Sequence, residues 1–199
     1  MPPRQRGELP IPAPARLAQS AAIKTITILS AILLAGCATQ PPIPPPARTG
    51  SYWDGEGMTG SPRVRISLSE QRAYFYKGEQ LAGVSLISTG SENLETVTGD
   101  FHIVEKQRYH ESSLFGAYLA ADGRVVQRDV DTRKDSRPPG THYAGAPMPF
   151  WMRIVGGIGM HKGHLPGYPA SHGCIRLPGE MAEAFYGAVS VGTPVRIEQ

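Results

Sequence analysis

An excess of charge of either sign is absent from most of this chain, because acidic and basic residues are balanced there. The 199 residues carry a formal net charge of +3. All of that excess lies in residues 1–36, where Arg4, Arg6, Arg16 and Lys24 are balanced only by Glu8. The remainder has equal numbers of acidic and basic residues, so there is no electrostatic reason to expect a nucleic-acid partner.

Long apolar runs are absent as well. The apolar run at residues 26–35 is broken only by Thr27 and Ser30, and Lys24 precedes it. It is too short for a membrane-spanning helix, but it fits the apolar region of a secretory signal peptide. Residues 1–36 are therefore predicted to be a targeting segment that does not belong to the folded domain.

Cysteine is scarce, with only Cys37 and Cys174 in the chain. Leu34-Ala35-Gly36-Cys37 resembles the lipobox of bacterial lipoproteins, in which the cysteine is lipidated and becomes the first residue of the mature protein. The alternative is a chance cysteine after an ordinary signal sequence. Lipidation of Cys37 would leave Cys174 as a lone thiol in an oxidising compartment, which marks it as a candidate reactive residue.

Proline and glycine, by contrast, are abundant, with 19 and 23 residues. This composition favours a loop-rich, β-containing fold. Residues 37–62 include the proline tract at 41–46 and are predicted to be an extended tether, from which Tyr52 and Trp53 could dock on the folded domain. That domain is predicted at residues 63–199.

Within the domain, alternation of apolar and polar residues predicts strands. Helical spacing of Met181, Ala184, Phe185 and Ala188 predicts a helix over residues 178–189. Residues 129–145 show little periodicity and are predicted to be a long loop. The predicted strands are residues 64–68, 73–76, 81–88, 101–104, 148–155 and 195–197.

The densest group of reactive side chains lies between His161 and Cys174. His164 and His172 lie in the same stretch, so three of the six histidines are close in sequence to the lone thiol. A cysteine nucleophile needs a base or a cation nearby, a group that orients the base, and donors for the oxyanion. Gly173 would let the backbone approach a substrate closely.

Two other interpretations remain open on the residues alone. The cysteine and histidines could lie on a surface loop without a role. Alternatively, His161, His164, His172 and Cys174 could together ligate a metal ion. No nearby carboxylate offers a general base for a metal-bound water, so no metal site is predicted.

Ser171-His172-Gly173-Cys174-Ile175-Arg176 resembles the signature of the L,D-transpeptidase (YkuD-type) family. That signature is a Ser/Thr-His-Gly-Cys core followed by an apolar residue and Asn or Arg. An upstream Gly-Met-His at residues 159–161 belongs to the same pattern. The resemblance extends over residues 63–197 and includes Ser88-Thr89-Gly90 and the stretches 96–101, 147–152 and 192–195.

This chain departs from the family pattern in two places. Val97 stands where many members have proline. The interval between His161 and Ser171 is also shorter than in members with a longer loop, which leaves open whether His161 or His164 is the base. His161 is preferred because its Gly-Met-His context matches.

The resemblance implies a mainly β fold with a few helices (α+β), the β-sandwich of L,D-transpeptidase catalytic domains, with Cys174 at the end of a buried strand or turn. It implies that Cys174 attacks the carbonyl at the L-centre of diaminopimelate in a peptidoglycan stem tetrapeptide and releases D-Ala. The thioester would pass to an amine, either another diaminopimelate or a lysine of an envelope protein. His161 would be the base and His172 an orienting residue, without a cofactor. Contacts with the substrate are expected from Ser171, Gly173, Arg176, Tyr143 and Trp151. Tyr143 and Trp151, together with Met148 and Phe150, could form the wall of the active-site entrance. For these four side chains, packing in the core or in a loop is an equally good interpretation.

Two further functions stay open. Water in place of the amine would make the protein a cysteine amidase or carboxypeptidase on peptidoglycan, and a non-catalytic peptidoglycan-binding lipoprotein is the alternative outside enzymes. The expected location is the periplasm, with a lipid anchor at Cys37 in the cell envelope. Ala38 is not the Asp that commonly retains lipoproteins at the inner membrane, which favours the outer one.

Overall fold

A computed structural model describes residues 49–199, and the predictions on the signal peptide, Cys37 and the proline tract lie outside the described residues. Within 49–199, no helix is long and apolar enough to cross a membrane. The same part of the chain forms thirteen strands and one α-helix, where the sequence predicted a few helices. The elements are β1 (Tyr52–Trp53), β2 (Pro62–Ser67), β3 (Arg72–Lys77), β4 (Gln80–Leu86), β5 (Gly99–His102), β6 (Glu105–Gln107), β7 (Glu111–Ala120), β8 (Val125–Asp131), β9 (Thr141–Pro147), β10 (Trp151–Val155), β11 (Ile158–Lys162), β12 (Ile175–Leu177), α1 (Gly179–Ala188) and β13 (Pro194–Glu198).

The largest sheet has six strands in the order β1-β4-β3-β2-β13-β5. On its central strand β2, Val64 and Ile66 are buried. Arg65 between them points to the other face and forms a salt bridge with Glu198 at 2.6 Å. This is the alternation that the sequence predicted, and it lets one face of the sheet pack on the core. Strand β13 lies parallel to β2 and pairs with the edge strand β5 on its other side, so the last strand in sequence is inserted within the sheet.

A second sheet has four strands in the order β12-β11-β10-β6. Met152, Ile154 and Met160 on its two central strands are buried. Strands β11 and β12 run parallel, with His161 opposite Arg176. This pairing brings two segments of the reactive stretch side by side.

The core is shared by these two sheets and helix α1. Pro178 occupies the N-cap position just before the helix and makes no side-chain capping hydrogen bond, while its carbonyl accepts from the Ala182 amide at 2.9 Å. Phe185 on the helix packs against Phe75, with ring centroids 5.0 Å apart, and Trp53 lies edge-on to Phe75, also at 5.0 Å. The docking of Trp53 is therefore confirmed. Strand β1 pairs with β4, so the folded unit includes residues before 63.

The third sheet has three strands in the order β8-β7-β9. The predicted loop over residues 129–145 is confirmed only for residues 132–140, because residues 129–131 belong to β8 and residues 141–145 belong to β9. Tyr118 and Val130 are the buried apolar side chains of this sheet within the described chain. Because both faces of the sheet are partly exposed, its strands need not alternate apolar and polar residues, and periodicity gave no signal.

Candidate active site

The loop that carries Cys174 is clamped at both ends to residues 88–91. Upstream, the amide of Ser171 donates to the carbonyl of Thr89 at 2.9 Å. Downstream, Ser88 and Arg176 exchange two backbone hydrogen bonds of 3.1 and 3.0 Å. Residues 172–174 lie between the clamps, so their positions are fixed without belonging to a strand.

The turn itself is held by the hydroxyl of Ser171. This hydroxyl accepts from the Gly173 amide at 3.1 Å and donates to the carbonyl of Cys174 at 2.5 Å. Gly173 has φ of +106°, a backbone conformation that side-chain-bearing residues rarely adopt. Ser171 and Gly173, both predicted to contact substrate, are buried and shape the turn.

Cys174 is partly exposed and comes directly before β12, as the resemblance implied. Its thiol donates to the carbonyl of Gly157 at 3.5 Å. Burial raises the pKa of the thiol above its usual range, and a hydrogen bond from the Gly159 backbone and the charge of Arg176 only partly oppose that rise. The resting group is therefore a neutral thiol.

His161 lies on β11 and is only 6% exposed. Its Nδ1 is 2.8 Å from the carbonyl oxygen of Lys162. A carbonyl can only accept, so Nδ1 carries the proton and Nε2 is left as the acceptor. Burial lowers the pKa of His161 to about 4, with the charge of Arg176 acting in the same direction. His161 is thus a neutral imidazole at neutral pH, ready to take a proton at Nε2.

His172 lies at the exposed side of the same turn. Its imidazole stacks on the ring of Phe115, with centroids 4.1 Å apart and planes 14° apart. Loss of water contact is the main cause that lowers its pKa, followed by the charge of Arg176.

Arg176 is the cation whose charge lowers the pKa of Cys174, His161 and His172. Its side chain is partly buried and makes no ion pair with a carboxylate anywhere in residues 49–199. An unpaired guanidinium beside a thiol suits a substrate carboxylate.

These groups share one cavity of about 350 Å³. Of the predicted site residues, the cavity brings together Cys174, His161, His172, Ser171, Arg176 and Trp151, with His164 and Met148 also on its wall. Gly173, Tyr143 and Phe150 do not line it. No group of three or more His, Cys, Asp or Glu side chains is placed to hold a metal ion in the described chain, so the four-ligand alternative is not formed there.

Tyr143 packs within the three-stranded sheet instead. Its hydroxyl donates to the carbonyl of Ser112 at 3.0 Å, and its ring meets Tyr118 edge-on at 6.1 Å. It thus ties β9 to β7. Phe150, with φ of +58°, packs against Tyr186 on the helix at 5.8 Å.

Trp151 forms the floor beside His161. It is 2% exposed, and its ring centroid lies 6.1 Å from that of His161. A Cβ at Gly159 would lie 2.7 Å from the indole, so only glycine lets the tryptophan pack there. His110 stacks on Trp151 at 4.7 Å with planes 11° apart.

Sequence reasoning missed one wall of the cavity. His110 and residues 112–115 of β7 line it. Nδ1 of His110 lies 2.7 Å from Oε1 of Gln107, and the Gln107 amide donates to Glu105, which pairs with Arg153. The apolar residues of β7 come as the pair Leu114-Phe115 and the continuous run 117–120, not in alternation, so the strand pattern could not reveal them.

A model of the YkuD family, described as the L,D-transpeptidase catalytic domain, matches residues 61–197. The "Probable L,D-transpeptidase 3" of Mycobacterium tuberculosis is 29% identical over 147 residues, which cover 72% of this chain and 48% of that protein. The chain thus spans about half the length of this curated relative.

Two solved structures are similar in fold, each with a TM-score of 0.52. An L,D-transpeptidase from Mycobacterium smegmatis is 16% identical, and the match covers 70% of this chain and 59% of that one. The LD transpeptidase LdtMt1, solved in complex with imipenem, is 18% identical, with 69% and 59% covered. Both agree with the predicted β-sandwich.

Proposed function

Because this chain belongs to the L,D-transpeptidase catalytic domain family, we propose that it is a cysteine acyltransferase acting on peptidoglycan stem peptides. The observation that carries the proposal is that Cys174 and His161 line the same cavity. Nδ1 of His161 is tied to the Lys162 carbonyl, so its free nitrogen is an acceptor. A neutral thiol needs such a base at the moment of attack.

The proposed reaction has two steps. In the first, Sγ of Cys174 bonds to the carbonyl carbon of diaminopimelate in a tetrapeptide while Nε2 of His161 takes the thiol proton. The C–N bond then breaks, and His161 returns the proton to the departing amine of D-Ala. In the second, an acceptor amine attacks the thioester carbon and gives a proton to His161, the C–S bond breaks, and His161 returns that proton to Sγ of Cys174.

Arg176 and His172 have supporting roles in this scheme. The guanidinium of Arg176, unpaired among residues 49–199, would bind a carboxylate of the stem peptide. Its charge also favours the thiolate as that forms. His172, held against Phe115, would form one side of the entrance.

Incubation of the purified protein with a tetrapeptide muropeptide, followed by mass analysis, tests the proposal. We expect loss of D-Ala together with a cross-linked dimer, and neither product from Cys174→Ala. Loss of D-Ala without a dimer would instead make the protein a hydrolase. Binding without any change in mass would make it a binding module. A lysine-containing envelope protein added as acceptor would reveal attachment to protein.

We also propose that the protein works in the periplasm, lipid-anchored through Cys37 at the outer membrane and not at the inner one. Leu34-Ala35-Gly36-Cys37 and the following Ala38 support this location. Each buried methylene of the lipid contributes about 0.8 kcal/mol to membrane binding, so several chains would anchor the protein firmly. Mass spectrometry of the native N-terminus should show a lipidated Cys37, and an unmodified cysteine would contradict the proposal.

A further inference from the structure

Thr96 is a buried threonine whose hydroxyl joins two segments of backbone. Its residue is 4% exposed. The hydroxyl oxygen accepts from the amide of Gly90 at 2.9 Å and donates to the carbonyl of Gly173 at 2.8 Å. Thr96 therefore links residues 88–91, which clamp the reactive loop, to the turn just before Cys174.

The bond to Gly173 fixes the orientation of one peptide plane. The carbonyl of Gly173 and the amide of Cys174 belong to the same peptide unit, and in a trans peptide they point in opposite directions. Since the carbonyl points to Thr96, the Cys174 amide points away from Thr96. Thr96 does not line the active-site cavity, whereas Cys174 does. The amide is thus turned toward the cavity side of the loop.

The Cys174 amide is also available as a donor. It makes no backbone hydrogen bond within residues 49–199. The preceding amide, that of Gly173, is occupied by the hydroxyl of Ser171 at 3.1 Å. The two carbonyls of the turn, those of Gly173 and Cys174, are both held by hydroxyl groups. The turn therefore leaves the amide of the nucleophile itself free to donate, together with the amide of His172, which makes no hydrogen bond within residues 49–199 either.

We propose that Thr96 is a positioning residue for the oxyanion of acyl transfer, acting through Gly173 to aim the Cys174 amide at the substrate carbonyl oxygen. This inference rests on the proposed acyl transfer at Cys174. When the thiol attacks, the carbonyl oxygen becomes negative, and a donor that is already oriented stabilises it without reorganisation. Without the Thr96 hydroxyl, the peptide unit between Gly173 and Cys174 loses the hydrogen bond that fixes its orientation. Gly173 has φ of +106°.

Two reagents separate this role from a structural one. Acetylation of Cys174 by p-nitrophenyl acetate forms a carbon–sulfur bond and expels nitrophenolate through a tetrahedral oxyanion. Alkylation by iodoacetamide forms a carbon–sulfur bond and expels iodide without any oxyanion. Both reactions need the same thiol and the same access to it, so their ratio reports on oxyanion stabilisation.

The variants are Thr96→Val, which keeps the shape but removes the hydroxyl, and Thr96→Ser, which keeps the hydroxyl. Thr193→Val is the matched control, since Thr193 is also 4% exposed and its hydroxyl accepts from a backbone amide, that of Ser190, in the turn before β13. For Thr96→Val we expect acetylation to slow about 10- to 100-fold and alkylation to stay within about twofold. Thr96→Ser should recover acetylation to within about threefold.

The inference is overturned if Thr96→Val is acetylated at the wild-type rate, or if acetylation and alkylation slow by the same factor. Should Thr96→Val fail to fold by circular dichroism, Thr96→Ala gives the same comparison with a smaller side chain. Wild type that is acetylated but does not act on muropeptide overturns the proposed function and leaves this inference standing. If the wild-type protein acts on muropeptide but Thr96→Val is acetylated at the normal rate, the proposed function stands and only the inference about Thr96 is removed.

Discussion

The imidazole of His172 lies flat on the ring of Phe115, with centroids 4.1 Å apart. Phe115 belongs to β7, at the centre of the three-stranded sheet, whereas His172 belongs to the loop clamped to residues 88–91. The guanidinium of Arg133, itself paired with Asp131, lies 5.3 Å from the Phe115 ring centre. This stack joins the sheet that sequence patterns missed to the turn that carries Cys174.

Replacement of Phe115 should free His172. An aromatic stack contributes about 0.5–1.5 kcal/mol beyond buried area, and Phe115→Ala also returns water to the imidazole. We expect the pKa of His172, now lowered by desolvation, to rise toward its ordinary value in an NMR titration. Acetylation should slow by about tenfold, the rate equivalent of about 1.4 kcal/mol. Phe115→Tyr keeps the ring and should behave like wild type, and an unmoved His172 titration in Phe115→Ala would contradict the argument.

Burial of neutral His161 should make stability depend on pH. The pKa of His161 is about 4 in the folded protein against 6.5 ordinarily. Between these values the unfolded chain binds more protons, so this contribution is fully present above pH 6.5 and is lost as pH falls toward 4. From pH 7 to 4.5, urea unfolding of wild type should lose about 2–3 kcal/mol more than unfolding of His161→Gln. Parallel losses in the two proteins would show that His161 does not titrate this way.

The two candidate bases should separate by mutation. His161 is buried beside Trp151, whereas His164 is exposed on the same cavity wall. His161→Ala should slow acetylation of Cys174 by about 100-fold or more, within the range of general-base catalysis, and His164→Ala should change it by no more than about twofold. Because the pKa of His161 is about 4, the wild-type rate should hold down to about pH 5. Reversed effects of the two substitutions would make His164 the base.

Carbapenems should acylate Cys174. A carbapenem offers a strained amide carbonyl, and a thiol with a base and an oxyanion donor should open it. Intact-protein mass spectrometry should show one added drug mass on wild type and none on Cys174→Ser. The serine hydroxyl has a far higher pKa, so turnover of muropeptide should fall by several powers of ten. Near-normal cross-linking by a folded Cys174→Ser protein would falsify the mechanism, whereas turnover without drug uptake removes only the inhibitor prediction.

Trp53 should matter to stability although it lies in the predicted tether. Its ring packs edge-on to Phe75 at 5.0 Å and against Phe185 at 5.9 Å. Trp53→Ala should therefore lower the free energy of unfolding by about 2–4 kcal/mol. Tyr109→Ala, at a residue that is 82% exposed, is the aromatic control and should change it by less than about 0.5 kcal/mol. Equal small effects would mean that β1 does not contribute to the folded unit.

The sequence was sufficient where one local pattern carried the information. Alternation at Val64 and Ile66 predicted β2, because that strand has one buried face. Helical spacing around Phe185 predicted α1, since one face of the helix packs on the core. The Ser-His-Gly-Cys stretch indicated the thiol and its neighbouring histidines, because the loop is contiguous in sequence. These features depend on residues near one another in the chain.

Tertiary structure alone decided which distant residues complete the site. Phe115 and His110 reach the cavity only because the three-stranded sheet and the segment before it lie against the reactive loop. Thr96 meets Gly173 across 77 residues of sequence. The neutrality of His161 and Cys174 comes from burial by side chains of several strands, and no local pattern reports how much water a folded chain excludes from a group.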